Sequence, residues 1–260
     1  MSGYKGQYDM IASLGGNCSA AHNLRFRNLR TVSLPFDWLY IVDERPIYWF
    51  AEYIGNNLSG FCLKENLIEI SPDSPEWSSS HPDRIQYIDS GTGYRFVNHF
   101  NKRITDDEEY QRVYGALMRR VTRFIEKLSH AKRALLILAT PVNVSDSCFC
   151  ALRKSLTLKF PKTEIDIVYM KFGVEGECPE LIADAKVHII PIPRSLNDYD
   201  FLKTNYEWSW LDQVSVSDTP GVQKRKTDIF HFSFGIWPGK VVHFSVKNKG
   251  CKLCSRKNMI

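Results

Sequence analysis

Residues 10–26 read MIASLGGNCSAAHNLRF. A short apolar run stops at Gly15 and Gly16, a cysteine follows, and an amphipathic stretch begins behind it. Tyr8 to Leu14 reads as a buried strand. Residues 19–27 read as a helix, with Ala20, Ala21 and Leu24 marking its turns. A strand that turns on glycines straight into a helix is the unit from which parallel sheets are assembled.

The pattern recurs downstream. RALLILA (133–139) is continuously apolar after Arg133, as expected of a strand covered on both faces. Ser145 to Phe160 reads as a helix stopped by Pro161, and EIDIVYM (164–170) and KVHIIPI (186–192) as further strands. Thr105 opens the longest helix, with Glu108 at capping-box spacing and Asp106 and Asp107 at its positive start. That helix runs to about Leu128 and carries Val113, Leu117, Val121, Phe124 and Leu128 on one stripe. The alternation predicts an α/β fold of three layers, a mostly parallel sheet flanked by helices, with Cys18 in the loop after the first strand.

The chain, 1–260, reads as a single domain. Residues 40–105 read as a loop-rich insertion: a helix from Pro46 to Tyr53, an irregular segment SPDSPEWSSSHP (71–82), and short strands at 84–89 and 94–100 about an SGTG turn. DIFHFSFGIW (228–237) looks β-like, and 251–260 reads as a frayed tail.

Composition narrows the function. Of 260 residues, 43% are hydrophobic and 24% charged, an ordinary globular balance, and the net charge of +5 is too mild to single out nucleic acid. Arg119, Arg120 and Arg123, and the run at 224–226, read first as solvated faces, with contact to an anionic substrate as the alternative for either. No apolar run approaches the roughly 20 residues of a membrane span, and the first residues have no signal-peptide character. Seven cysteines in no framework-like spacing point to a reduced, cytoplasmic chain. CKLC (251–254) lacks the four ligands of a zinc site, and Cys148, Cys150 and Cys178 are not at knuckle spacing, so no metal is expected. No GxGxxG or GK[ST] loop is present.

Cys18 then stands out. In open α/β sheets ligands bind beyond the carboxyl ends of the strands, and a helix N-terminus favours a thiolate. The backbone amides of residues 17–19 are candidates for an oxyanion hole. The alternative is a small buried thiol that only packs. A nucleophilic cysteine needs a base, normally histidine. His22, one turn along the same helix, reads as an exposed or capping residue, and His81, His130 and His188 as solvated or satisfied. His99 ends a β-like segment, and His231 lies three residues after Asp228. Asp37, in PFDWLY (35–40), reads equally as catalytic or as a buried carboxylate that holds the Cys18 loop or Leu29–Arg30 in place.

SLGGNCSAAHNLR (13–25), LRTVSLPFDW (29–38) and HF (99–100) together resemble a bacterial family of unknown function named as papain-like cysteine peptidases. The resemblance implies Cys18 as nucleophile, His99 as base and Asp37 as a buried polar partner, with Asn17 in the motif. Where the family pattern carries an acidic residue after its histidine, this chain has Phe100. More remotely, the Gly-Asn-Cys loop is similar to that of capsule-biosynthesis acetyltransferases. The Asp228/His231 spacing is similar to the late partners of SGNH-type esterases. A papain fold is α+β; the alternation here argues for α/β.

The leading expectation is an acyl-transfer enzyme using Cys18, a thiol hydrolase or papain-like peptidase without cofactor, acting on a small molecule, glycan or peptide. The alternatives are a transferase of surface-polysaccharide synthesis using a nucleotide sugar or acetyl-CoA, with Arg25, Arg27, Arg30 and Lys102 serving phosphates, and a non-catalytic binding module.

Overall fold

The computed structural model describes residues 4–79, 81–174, 178–192 and 208–217, and the backbone of 231–236 and 240–245. The chain divides into two compact units, Met1–Asp218 and Thr219–Ile260. In the first, β1 (Gly6–Tyr8) and β2 (Met10–Ser13) lead into α1 (Ser19–Phe26). After β3 (Leu39–Tyr40), α2 (Arg45–Tyr53), β4 (Leu67–Glu69), β5 (Ile85–Asp89) and β6 (Arg95–Phe100) comes the long α3 (Asp107–His130). Then follow β7 (Arg133–Thr140), α4 (Asp146–Lys159), β8 (Glu164–Phe172), β9 (Leu181–Ile182), β10 (Val187–Ile192) and β11 (Val214–Val216).

The main sheet has the order β2-β7-β8-β10-β9. β2, β7, β8 and β10 are parallel, and only the two-residue edge strand β9 runs antiparallel. β11 pairs in parallel with β1. The α/β expectation therefore holds.

Side-chain alternation shows why the apolar strands read as continuous runs. Leu135, Ile137 and Ala139 of β7 join one buried cluster with Ala20 and Leu24 of α1 and with Trp208 and Leu211. Ala134, Leu136 and Leu138 join the opposite cluster with α3 and α4. A strand buried on both faces has no polar side to show, because successive side chains point to opposite layers. The predicted stripe of α3 (Val113, Leu117, Val121, Phe124, Leu128) is buried throughout.

Two local expectations change. Residues 40–105 carry more than loops: β3, β6, β5 and β4 form a four-stranded antiparallel sheet, and α2 packs against α4. The cap of α3 lies one residue later than Thr105. The Asp106 carboxylate accepts the Glu109 amide at 3.0 Å, so the capping pair is Asp106 and Glu109. Aspartate is as good a cap as threonine. Glu109 reaches back to the Asn101 amide, which ties the helix start to the end of β6.

In the second unit, β12 (His231–Ile236) and β13 (Lys240–Ser245) pair as an antiparallel hairpin, in keeping with the β-like reading of that stretch. The 251–260 tail lies outside the described residues.

The turn between β2 and α1 depends on glycine. Gly15 and Gly16 have φ of +93° and +102°. A Cβ on Gly16 would lie 2.2 Å from the Ala139 carbonyl oxygen, a backbone atom of a central strand that cannot give way. Gly16→Ala should therefore lower the unfolding free energy by about 3 kcal/mol or more in urea titrations, combining backbone strain with overpacking. Gly55→Ala should stay within about 1 kcal/mol of the parent, since a Cβ there meets nothing within 4 Å.

Candidate active site

Strand β2 delivers the thiol to the carboxyl edge of the main sheet. The Leu14 amide donates to Ile137, and the Gly15 amide donates to the Ser13 hydroxyl at 3.0 Å. Gly16 then crosses the end of β7 and forms a bridge with Tyr40. Its carbonyl accepts the Ile41 amide at 3.4 Å. Cys18 is the N-cap residue of α1, half-buried, beyond the carboxyl end of β2. It is neither mid-helix nor remote from the sheet. No acidic residue occupies the first turn of α1 to oppose a negative sulfur.

The Tyr40 hydroxyl donates to Cys18 Sγ at 3.6 Å. Sequence reasoning missed this residue, reading PFDWLY only as an apolar cluster around one aspartate. Asn17 is buried and serves the turn: its carboxamide oxygen accepts both the Ser19 amide (2.9 Å) and the Ser19 hydroxyl. The Ser19 amide is thus engaged within the loop, which takes it out of the oxyanion hole expected from residues 17–19. His22 is half-buried rather than exposed, edge-on to Trp38 at a centroid distance of 4.9 Å.

Asp37 is 1% exposed and pairs with Arg30 at 2.8 Å; the same oxygen accepts the Leu34 amide at 2.8 Å. Burial raises its pKa, and the Arg30 and Arg120 charges and the Leu34 hydrogen bond oppose that rise. The carboxylate thereby anchors Leu29–Arg30 to the PFDW segment.

His99 lies on β6, with its carbonyl held by the Arg112 guanidinium at 3.0 Å. Its ring stands edge-on to Phe96 at 5.3 Å. Part of the residue reaches the surface, but both ring nitrogens are shielded from solvent and no protein group pairs with them. The structure therefore does not join His99 to Cys18 by a hydrogen bond. Burial first, then Arg120, Arg112 and His81, push the His99 pKa down to about 3. The ring is held neutral, and an imidazolium there would face two guanidiniums. The side chain of His231 and the whole of Asp228 lie outside the described residues.

His99 lines a cavity of about 280 Å³ with Trp38, Asn98, Arg112, Ala116 and Arg120. Trp38 thus contacts the Cys18 helix through His22 and also walls this cavity. Of Arg119, Arg120 and Arg123, expected to form a solvated face or to meet an anionic substrate, Arg120 lines the cavity; Arg112 was not expected there. Residues 112, 116 and 120 are spaced by four and share one side of α3, next to its apolar stripe; that spacing was the available signal. The cations expected to serve phosphates are instead largely engaged: Arg27 with Asp212 (3.1 Å), Arg30 with Asp37, and Lys102 with Asp106 (2.8 Å).

Five described cysteines are free thiols. Burial drives the Cys62 and Cys148 pKa values well up, so these two are inert at neutral pH. Among the described residues no group of three or more His, Cys, Asp or Glu is placed to hold a metal ion, and no helix is long and apolar enough to cross a membrane.

A family model described as "Putative papain-like cysteine peptidase (DUF1796)" matches residues 9–159, more than half of the chain, and the chain belongs to that family. The match takes in Cys18, Asp37, Tyr40, His99 and Arg120. No curated protein and no solved structure matches the chain.

The depressed pKa of His99 has a testable sign. A histidine that stays neutral in the fold but protonates when unfolded stabilises the fold above the unfolded pKa of about 6.5, and that stability is lost as pH falls toward 3. Between pH 7 and 5 the parent should lose roughly 1–2 kcal/mol more unfolding free energy than His99→Gln, measured by denaturant titration at each pH. Equal losses would show that the ring is not held neutral.

Proposed function

We propose that this protein is a cysteine-dependent acyl-transfer enzyme in which Cys18 attacks the carbonyl carbon of an ester, thioester or amide. The observation that carries the reading is the donation from the Tyr40 hydroxyl to Cys18 Sγ at the N-terminus of α1. A thiolate is the reactive form, and a hydrogen-bond donor together with a helix N-terminus favours it. Thiolate addition forms the C–S bond and moves the carbonyl electrons onto oxygen. Collapse then breaks the bond to the leaving group, which takes up from solvent the proton the thiol released. Tyr40, already a donor to sulfur, stands where it can transfer its hydrogen bond to that leaving atom. Attack of water or another acceptor on the thioester breaks the C–S bond and returns the Cys18 thiolate. Family membership supports a cysteine-centred chemistry.

His99 was expected to be the base. Its neutral, shielded ring and its lack of a hydrogen bond to Cys18 favour a place in the wall of the neighbouring cavity instead. The N-terminus of α1 and the Tyr40 hydroxyl then both favour the thiolate form of Cys18.

Alkylation by iodoacetamide, read at Cys18 by peptide mass spectrometry, tests this. At pH 7 Cys18 should react at least about tenfold faster than a free model thiol, and Tyr40→Phe should slow it severalfold while the fold is kept. A Cys18 no faster than the model thiol, or indifferent to Tyr40→Phe, counts against the reading.

A further inference from the structure

We propose that the cavity walled by Trp38, His99, Arg112 and Arg120 is a binding site for a phosphate group carried by a small ligand. The inference does not depend on the chemistry at Cys18. Its volume of about 280 Å³ is close to the lower end of small-molecule sites, roughly 300–1,000 Å³.

The charge in the wall is unbalanced. Arg112 is tied by Glu109 through paired hydrogen bonds of 2.7 and 2.8 Å, and Arg30 by Asp37. Arg120 is half-buried at the cavity, and among the described residues no hydrogen bond or ion pair engages it. Burial lowers its pKa most; Arg30, Arg123 and Arg119 lower it further, and Asp37 opposes them. A guanidinium kept in such a place without a carboxylate partner is suited to an incoming anion. The local excess of cations favours a phosphate over a singly charged carboxylate.

His99 supplies the second, independent observation. One buried donor and one buried acceptor on its ring have no protein partner. Buried polar groups are nearly always paired, so this pair calls for a ligand. A phosphate group offers both complements, oxygens that accept and, when singly protonated, a hydroxyl that donates. Ala116, between the two arginines on the same helix face, leaves the space open.

The test is calorimetric titration of the full-length protein with inorganic pyrophosphate, ADP and glucose 1-phosphate at constant ionic strength, with acetate as the carboxylate control. At least one of the three phosphates should bind, and the strongest identifies the source of the group. Arg120→Gln should weaken that binding about tenfold, while Arg119→Gln, the same charge change on an exposed neighbour, should leave it within about twofold. Ala116→Leu, which fills the cavity from a helix position, should also abolish binding, and serves if Arg120→Gln fails to fold. Silence across the three phosphates, equal binding of acetate, equal losses in Arg119→Gln and Arg120→Gln, or unchanged binding in Ala116→Leu would overturn the proposal.

Discussion

The architecture of the site rests on the absence of a side chain at Gly16. The chain leaves β2, passes over the carboxyl end of β7 and bridges to Tyr40 in one residue. With a Cβ only 2.2 Å from the Ala139 carbonyl oxygen, no other residue fits without moving the central strand. That crossing brings together three stretches far apart in sequence: the Cys18 turn, the PFDWLY segment and the end of β7. Because Gly16 and Tyr40 are bridged, the tyrosine hydroxyl reaches the sulfur. The geometry of the thiol is thus a consequence of backbone sterics.

PFDWLY is the second element on which the site depends, and its last five residues have separate tasks. Phe36 is fully buried and packs against Phe50, Phe61, Tyr94 and Phe124, which fixes the loop in the core. Asp37 anchors Arg30. Trp38 walls the cavity, under the Arg30 guanidinium at 5.5 Å. Leu39 is buried and Tyr40 meets the thiol. Breaking the buried Asp37–Arg30 pair would leave an uncompensated charge inside the protein, which typically costs about 3–5 kcal/mol. A motif that resembles a hydrophobic cluster therefore links Cys18 on one side to the cationic cavity on the other.

Much of this was legible in the sequence. Continuous apolar runs such as RALLILA mark strands buried on both faces, and the GG-N-C turn placed Cys18 at a helix start beyond a strand end; the structure agrees on both points. The antiparallel sheet within 40–105 was not legible as a sheet. β3 and β4 are only two and three residues long, too short for a period-2 pattern to declare itself. The site was half legible. A cysteine carries its chemistry in its residue type, whereas Tyr40 and Arg120 carry theirs only through what they face. An arginine beside an apolar stripe reads as solvated until the neighbouring strand and Trp38 close over it. Nor could the ring of His99 be seen as neutral before Arg112 and Arg120 were placed around it, since a shift of that size comes from burial and neighbouring charge, both set by tertiary structure.

The central claim is that Cys18 carries the acyl group. The direct measurement is intact-protein mass spectrometry after brief exposure to an activated acyl ester or thioester, followed by acid quench and peptide mapping. The account predicts one acyl adduct, located on Cys18, absent from Cys18→Ala and diminished in Tyr40→Phe. An adduct that maps to another residue, or that forms equally in Cys18→Ala, would contradict it.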